Sequence, residues 1–424
     1  MQHLSSFSTL RSWAFSALVM LSNTAIFAQV FQKHYGTAFE NTFSKVVKDG
    51  TFYYVLGQDE PTDGAAFRAT VTRLDANGAH QWTLSMATPS AWADALLLPG
   101  GDLMVVGYSL PFDPTTRSII GRVTRNGAFA WLKSYDHPGR DFFNRVVEQA
   151  GSYYVAGSDN QPGATSTWEN MSLWNFSATG TLNWKKYYIS AADDEFFRDL
   201  VAVPGGGLLL AGNDAQFGLI YTVDNTGEMT TDAVQVDDRV YRDVEANSSG
   251  GFYAAATNLA NNQAYLQKFG ANLIPLEWEV RILPLATVSQ VWEGQPGDIY
   301  AVGTGTFGGQ SRAVIAKLRD NGANGLFVAW VKYLHAGTGQ AGGSAWKTGS
   351  NQLAFTDTRI LPNGFGQTCA NISVSDLDLN DACSVSKDTA TLFFADPIPN
   401  GPQLFTAEEV PAPAAVNITQ SFAL

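Results

Sequence analysis

Polar side chains recur at one position of a repeated strand, and they are the residues of this sequence best suited to chemistry. The set consists of Ser44, Asp94, Asn144, Asp199, Asp243 and Gln290. If such strands surround a common axis, these side chains form a ring of ligands around water or a metal. Three carboxylates would suit a hard cation such as Ca²⁺, which takes about six to eight oxygen ligands. The alternative is structural, with each side chain hydrogen-bonded to a neighbouring repeat.

Tryptophans form a second group with two different expectations. Trp168 lies in a long variable stretch, where it could contact a ligand. Five others occupy a fixed place near the end of the repeat: Trp82, Trp131, Trp184, Trp278 and Trp330. A large aromatic at a fixed register favours packing between repeats over a sugar-stacking platform.

Acidic residues also precede the first strand of several repeats, where they could form a negative rim on one face. They are Glu40, Asp141, Asp193, Asp194, Glu195 and Asp238. Such a rim would attract a cation or a basic partner. The simpler interpretation is solvation and turn capping.

Signals for nucleophilic catalysis are weak. After the first 28 residues the histidines are His34, His80, His137 and His335, and none lies in a metal-binding motif or beside a Gly-x-Ser-x-Gly elbow. Hydrolysis by paired carboxylates stays open, because acids from different repeats can meet without a sequence signature. The sequence therefore predicts no catalytic residue and no cofactor, with Ca²⁺ as the one metal that the polar set would suit.

Composition limits the classes of partner. The 424 residues are 45% hydrophobic, 12% aromatic and only 15% charged, with a net charge of −13. Nucleic-acid binding requires clustered Lys and Arg, which this acidic chain lacks. No stretch after the N-terminal region reaches the about 20 apolar residues of a membrane span.

The first 28 residues are typical of a secretory signal peptide. Arg11 gives a positive start, residues 13–21 are mainly apolar, and Ala28 offers a small residue for cleavage. An exported chain favours a disulfide between Cys369 and Cys383 over a metal site, since two thiolates leave a tetrahedral site incomplete. Two free buried thiols are the alternative.

A short apolar strand that ends at a small residue recurs through the chain. Its small residues are Gly57, Gly107, Gly157, Gly212, Ala256, Gly303 and Thr356. The spacing averages about fifty residues, which is typical of propeller blades. Each copy follows a short strand and precedes an alternating strand, a turn such as Asn126-Gly127, and the tryptophan strand. The pattern predicts a seven-bladed all-β propeller of four-stranded antiparallel blades, rather than a sandwich or a β-helix.

The numbers of strands of each type in the repeats predict how the propeller is closed. Seven copies of the first three strands precede only six strands of the tryptophan type, and Phe31-Gln32-Lys33-His34-Tyr35 has the missing pattern. We expect this N-terminal strand to complete the last blade within a domain of residues 29–395. The alternative is that Ser384 to Phe394 completes it. Residues 396–424, rich in Pro and Ala, read as a tail or linker.

The units resemble secreted β-propeller repeat proteins of the type common in Bacteroidota. The resemblance rests on Leu74-Asp75-Ala76-Asn77-Gly78 followed by Trp82, and on Lys133-Ser134-Tyr135 followed by Ala156-Gly157. It implies export to the medium or the cell surface and covers residues 29 to about 380. It implies no particular activity, and the fourth and fifth units depart from it by losing the Trp and one Gly.

The sequence leads to two functional hypotheses. The first is an exported, monomeric, non-catalytic binding or adhesion module for an extracellular protein or a glycan, with Asp94, Asn144, Asp199, Asp243 and Trp168 as candidate ligand contacts. The second is a carbohydrate-active or other hydrolytic enzyme with its site at the mouth of the propeller channel. Convergence of accessible carboxylates in a funnel would favour the second.

Overall fold

The structure is a computed structural model. It describes residues 31–35, 41–62, 64–110, 116–136, 139–159, 169–189, 195–214, 217–231, 234–261, 263–271, 273, 276–282, 285–307, 310–322, 326–334, 340–341, 345–349, 352–360, 368–376, 384–388, 392–394, 406–409 and 416–417. Within these ranges the chain contains β-strands, turns and bends and no α-helix. The all-β class predicted from the sequence is therefore confirmed.

Six antiparallel sheets each contain four strands that follow one another along the chain, after the N-terminal strand β1 (Phe31–Tyr35). Sheet 1 contains β2 (Asn41–Asp49), β3 (Phe52–Asp59), β4 (Arg68–Leu74) and β5 (His80–Ser85). Sheet 2 contains β6 (Ser90–Leu97), β7 (Leu103–Ser109), β8 (Ser118–Val123) and β9 (Phe129–Tyr135). Sheet 3 contains β10 (Phe142–Gln149), β11 (Ser152–Asp159), β12 (Asn170–Phe176) and β13 (Leu182–Ile189).

The next three sheets repeat the same order. Sheet 4 contains β14 (Phe196–Ala202), β15 (Leu208–Asn213), β16 (Phe217–Val223) and β17 (Val234–Asp237). Sheet 5 contains β18 (Arg239–Ala246), β19 (Phe252–Asn258), β20 (Gln263–Phe269) and β21 (Leu276–Ile282). Sheet 6 contains β22 (Leu285–Gln295), β23 (Asp298–Phe307), β24 (Gln310–Asp320) and β25 (Leu326–Leu334).

A terminal sheet combines the end of the repeat array with the N-terminal strand. It contains β26 (Gln340–Ala341), β27 (Ala345–Gly349), β28 (Gln352–Ile360) and β29 (Thr368–Asp376). Strand β1 pairs antiparallel with β29, with Phe31 opposite Val374 and Tyr35 opposite Ala370. The N-terminal strand thus lies in the position of the fourth strand of this sheet.

Short strands from the C-terminal region extend the outer edges of four sheets. Strand β30 (Ser384–Asp388) pairs with β25 and β31 (Leu392–Phe394) with β21, while β32 (Thr406–Glu409) pairs with β13 and β33 (Val416–Asn417) with β9. Strands β30 and β31 therefore lie on sheets 6 and 5, which differs from the alternative placement of Ser384 to Phe394 as the outer strand of the last repeat. The segment expected as a tail or linker contributes the other two edge strands.

The hydrophobic core is a series of layers between consecutive sheets. In sheets 1 to 6 the second strand is buried on both faces, as in β15, where every residue is buried. Tyr54 and Leu56 of β3 pack toward sheet 2, whereas Tyr53 and Val55 pack with Ala354 of the terminal sheet. Burial on both faces explains why these strands read as continuous apolar runs rather than as alternating ones.

The recurring small residue has a local cause in a β-bulge. In sheets 1 to 6 the pairing of the first and second strands shifts register by one residue opposite this position. The bulge brings a carbonyl against it, so that a Cβ at Gly107 would lie 2.0 Å from the Ala91 oxygen. Glycine is favoured because it removes that clash, although Ala256 occupies the position in sheet 5.

Removal of residues 29–36 should destabilise the whole domain, because it deletes the strand that pairs with β29. We expect the Tm to fall by at least about 2 °C, the shift that roughly 1 kcal/mol produces in a large domain. Differential scanning calorimetry measures it, with a deletion of residues 418–424 as the control. A deletion of 29–36 that leaves the Tm unchanged would show that β1 contributes nothing to stability.

Candidate functional site

The first strands of the sheets place a cluster of charged side chains side by side. Arg145 of β10 contacts three carboxylates from three other sheets: its Nη2 lies 2.9 Å from Asp243 Oδ1, its Nη1 lies 3.7 Å from Asp94 Oδ1, and its Nε bonds Asp199 Oδ1. Lys45 of β2 bonds the same Asp94 oxygen. The three carboxylates are 0 to 5% exposed. We call these five residues the central cluster.

Each carboxylate of the central cluster also accepts a hydrogen bond from the next sheet through its second oxygen. The donors are backbone N–H groups, at 2.9 Å from Val146 to Asp94, 2.7 Å from Val244 to Asp199 and 2.8 Å from Val291 to Asp243. Hydrogen bonds of this kind to a charged acceptor are stronger than neutral ones. The predicted structural role of these three residues, bonding to neighbouring repeats, is confirmed by these contacts.

The structure corrects the alignment of the polar set. The bulge places Lys45 and Arg145 at the register of Asp94, while Ser44 and Asn144 are the extra residues of the bulge. Asn144 donates from Nδ2 to the Phe197 carbonyl of sheet 4 at 2.5 Å. Ser44 is exposed and lies outside the central cluster. An alignment of the repeats that ignores the bulge does not place Lys45 and Arg145 at the position of Asp94. The apolar residue that follows each of these two cations marks the correct register.

Burial and neighbouring charges shift the pKa of Asp243, Arg145 and Lys45 in the central cluster. Three carboxylates face two cations, which leaves one uncompensated negative charge in a buried site. Burial raises the pKa of Asp243 well above its ordinary value, the Asp199 carboxylate adds to the rise, and Arg145 offsets only part of it. Burial opposes the charge on Arg145, yet the three carboxylates outweigh it and raise its pKa. Burial lowers the pKa of Lys45, with Asp94 acting against the shift.

A cavity of about 480 Å³ opens on one side of the central cluster. Arg145, Lys45 and Asp243 border it together with side chains of both charges and of apolar character from further along the first strands. These are Lys48, Glu245, Gln290, Val47, Leu97 and Trp292. The volume falls in the range of small-molecule sites, about 300–1,000 Å³. The cavity can therefore offer donors, acceptors and apolar contacts to one ligand.

Metal binding gains no support from the residues that the structure describes, where no group of three or more His, Cys, Asp or Glu side chains could hold an ion. The Asp94, Asp199 and Asp243 carboxylates do converge, but the guanidinium of Arg145 lies among them. A cation at this place would have to displace a charge that is already paired.

Other predicted positions have mixed outcomes. Asp141 and Glu195 are fully buried rather than on an open acidic rim, whereas Asp238 is exposed. Trp168 and Cys383 lie outside the described residues, and of Cys369 only the backbone strand is described, so the ligand contact and the disulfide stay predictions.

Three of the repeated tryptophans, Trp82, Trp131 and Trp184, pack between sheets, as predicted. A Cβ at Gly127 would lie 2.8 Å from the Trp82 ring, and one at Gly180 would lie 2.5 Å from the Trp131 ring. In each case the glycine belongs to the hairpin turn of the following sheet. Lys133 adds a hydrogen bond of 2.6 Å from Nζ to the Gly180 carbonyl. The Trp-x-Lys pattern is thus a contact between one sheet and the next.

Comparison with known proteins gives similarity of fold only at a low level. No family model and no curated protein matches the chain. A protein of unknown function from Bacteroides caccae is 12% identical with a TM-score of 0.34, over 57% of this chain and 94% of that one. A cobalt-substituted Synechocystis apocarotenoid oxygenase is 12% identical with a TM-score of 0.36, over 56% and 60%. A eukaryotic initiation factor is 13% identical with a TM-score of 0.41, over 85% and 92%.

Similarity of this size assigns neither a family nor a function. A helix of the length and apolar character needed to cross a membrane is not found in the part of the chain that the structure describes.

Replacement of Arg145 by Met should strongly destabilise the protein, because it leaves three buried carboxylates without their shared partner. We expect a loss of about 3–5 kcal/mol in the free energy of unfolding. The matched control is Arg117→Met, which breaks a half-exposed ion pair with Asp136 of 2.9 Å. That control should cost about 0–1 kcal/mol. Urea denaturation measures both, and equal losses would contradict the central role of Arg145.

The raised pKa of Asp243 predicts a pH dependence with a definite sign. A folded-state pKa above the unfolded value of about 3.9 means that the folded protein binds the proton more tightly. The resulting stability is complete below the unfolded pKa and is lost as the pH rises through the folded pKa. The difference in unfolding free energy between the wild type and Asp243→Asn should therefore decrease from pH 4 upward. A difference that is constant or grows with pH would contradict this assignment.

Proposed function

We propose that the chain is an exported, non-catalytic seven-bladed β-propeller, closed by its N-terminal strand, that acts as a binding or interaction module. The pairing of β1 with β29 supports closure. The packing of Tyr53 and Val55 against Ala354 supports it from the side of the core, since it joins sheet 1 to the terminal sheet. The resemblance to secreted propeller repeats supports delivery to the medium or the cell surface.

The observation that supports a non-catalytic function is that the three converging carboxylates are buried and already paired. General acid–base and nucleophilic catalysis need a group that can reach the substrate. Asp94 and Asp199 are at most 1% exposed, and all three carboxylates of the central cluster bond a cation and a backbone N–H group. Their geometry favours a role in holding four or more sheets in place.

Binding would use the cavity beside the central cluster. Its floor contains paired charges, and its walls add Lys48, Glu245 and Trp292. Such a lining offers hydrogen-bond donors and acceptors without a strong net charge, which suits a glycan or an extended segment of an extracellular protein better than a highly charged ligand.

One observation favours the hydrolytic alternative. Asp243 lines the cavity, and burial and the Asp199 carboxylate hold its pKa well above its ordinary value. Glu245 borders the same cavity. A protonated acid and a second carboxylate are the groups that glycoside hydrolysis uses.

A combined binding and activity screen separates the two functions. Purified protein without its first 28 residues is tested against glycan and extracellular-protein arrays and, in parallel, against chromogenic glycosides. The binding function predicts ligands that Lys48→Ala or Glu245→Gln weakens by about tenfold or more, with no turnover of any substrate. Turnover abolished by Asp243→Asn in a protein that still folds would overturn the non-catalytic proposal and establish the hydrolase.

A further inference from the structure

A lysine and an aspartate lie in contact inside sheet 3, and neither belongs to the central cluster. Lys185 Nζ of β13 lies 2.6 Å from Asp159 Oδ1 at the end of β11, and the two side chains are 0% and 1% exposed. The adjacent Lys186 pairs with Glu228 instead, whose side chain is 63% exposed. The Lys185–Asp159 pair is therefore kept out of water, whereas the neighbouring pair reaches it.

Two hydroxyl groups contact the carboxylate of this pair. The Ser172 hydroxyl donates to Asp159 Oδ2 at 2.6 Å, and it is itself oriented by a hydrogen bond of 2.9 Å from Trp174 Nε1. The Tyr187 hydroxyl accepts from Lys185 Nζ and donates to Asp159 Oδ1. Tyr187 thus connects the amine to the carboxylate oxygen beside it, while Ser172 binds the other oxygen.

Aromatic rings cover the amine. Lys185 Nζ lies 4.1 Å from the centroid of the Trp174 ring and 4.3 Å from that of the Tyr187 ring. The ring faces favour the ammonium, but burial lowers the pKa of Lys185, with Asp159 and Asp141 acting against the shift. A buried ion pair lacks the hydration that favours its charges, so a neutral amine and carboxylic acid compete with it. Transfer of one proton across the contact of 2.6 Å interconverts the two forms.

We propose that Lys185 and Asp159 react to form an isopeptide bond, an amide between Nζ and Cγ, with release of one water molecule. The fold holds the two groups in contact, and such proximity strongly accelerates a reaction within one molecule. The reaction needs no oxidant, cofactor or outside reagent, because the amine, the acid and the proton-transferring hydroxyl all belong to sheet 3. The bond joins the outer strand β13 to β11 across the intervening β12.

The contacts around the pair serve each step of the reaction. One proton passes from the Lys185 ammonium to Asp159 Oδ1, which gives an amine and a carboxylic acid. The Nζ lone pair attacks Cγ, and the Ser172 hydroxyl stabilises the negative charge that develops on Oδ2. Tyr187 takes a second proton from Nζ and gives its own to Oδ1. The Cγ–Oδ1 bond breaks, Oδ1 leaves as water, and the Nζ–Cγ bond remains.

The cross-link is independent of the proposed function. Lys185 and Asp159 do not line the cavity beside the central cluster, so the bond can form whether or not that cavity binds a ligand. An amide between residues 159 and 185 closes a loop in the unfolded chain and restricts the unfolded state as a disulfide does. Unlike a disulfide, it withstands reducing agents, which gives a direct way to detect it.

Peptide mapping by mass spectrometry tests the bond. The purified full-length protein is denatured, reduced and cleaved after glutamate, which places Asp159 on peptide 149–169 and Lys185 on peptide 170–195. We expect the two peptides to be joined, with a combined mass lower by one water molecule, and fragmentation to locate the amide at these two residues. Two separate peptides of full mass, or a cross-link at another pair of residues, would overturn the proposal.

Variants assign the roles, while the wild-type result decides the proposal even where a variant fails to fold. Asp159→Ala should give only the separate peptides. Tyr187→Phe keeps the ring and removes the proton transfer, so the joined fraction early after induction should fall by about tenfold or more. An unchanged fraction would overturn the role of Tyr187. The matched control is Lys186→Met on the same strand, which should leave the joined peptides unchanged because Lys186 pairs with Glu228.

Discussion

The fold depends on one buried electrostatic arrangement, in which the Arg145 guanidinium is shared by carboxylates from three other sheets. An arginine fits this place because its planar donors point in several directions and its charge persists on burial. Each carboxylate then uses its second oxygen to fix the backbone of the next sheet, as Asp199 does with Val244. The sheets are thereby aligned from the inside by groups that would be costly to leave unpaired.

A second set of contacts aligns the sheets nearer their outer edges. The indole of one sheet lies on the turn glycine of the next, as Trp131 does on Gly180, and Lys133 bonds the carbonyl of that glycine. This explains why the tryptophan, the lysine and the turn glycine recur together, although they belong to different units. Sheet 4 lacks this tryptophan, and in sheet 5 the turn position of the glycine is occupied by Leu273, which is buried and packs with Leu209.

The two sets of contacts limit where this protein can bind a ligand. The polar residues of the central cluster bond to one another and to the backbone of neighbouring sheets. Their presence in the sequence is therefore a poor guide to catalysis. Space for a ligand occurs at the open side of the central cluster, where the paired charges border a cavity.

The sequence by itself determined the strand content, the repeat of about fifty residues and the packing role of Trp82 and its equivalents, because these depend on local periodicity and on turn residues. It also identified Asp94, Asp199 and Asp243 as a set. Only the tertiary structure decided what surrounds them. A β-bulge shifts the register of each first strand by one residue, so that Arg145 rather than the predicted Asn144 lies beside these carboxylates. The residues considered as a ring of metal ligands therefore form an ion-paired cluster. Such a shift depends on how two strands pair, and pairing is a property of the folded sheet rather than of either segment alone.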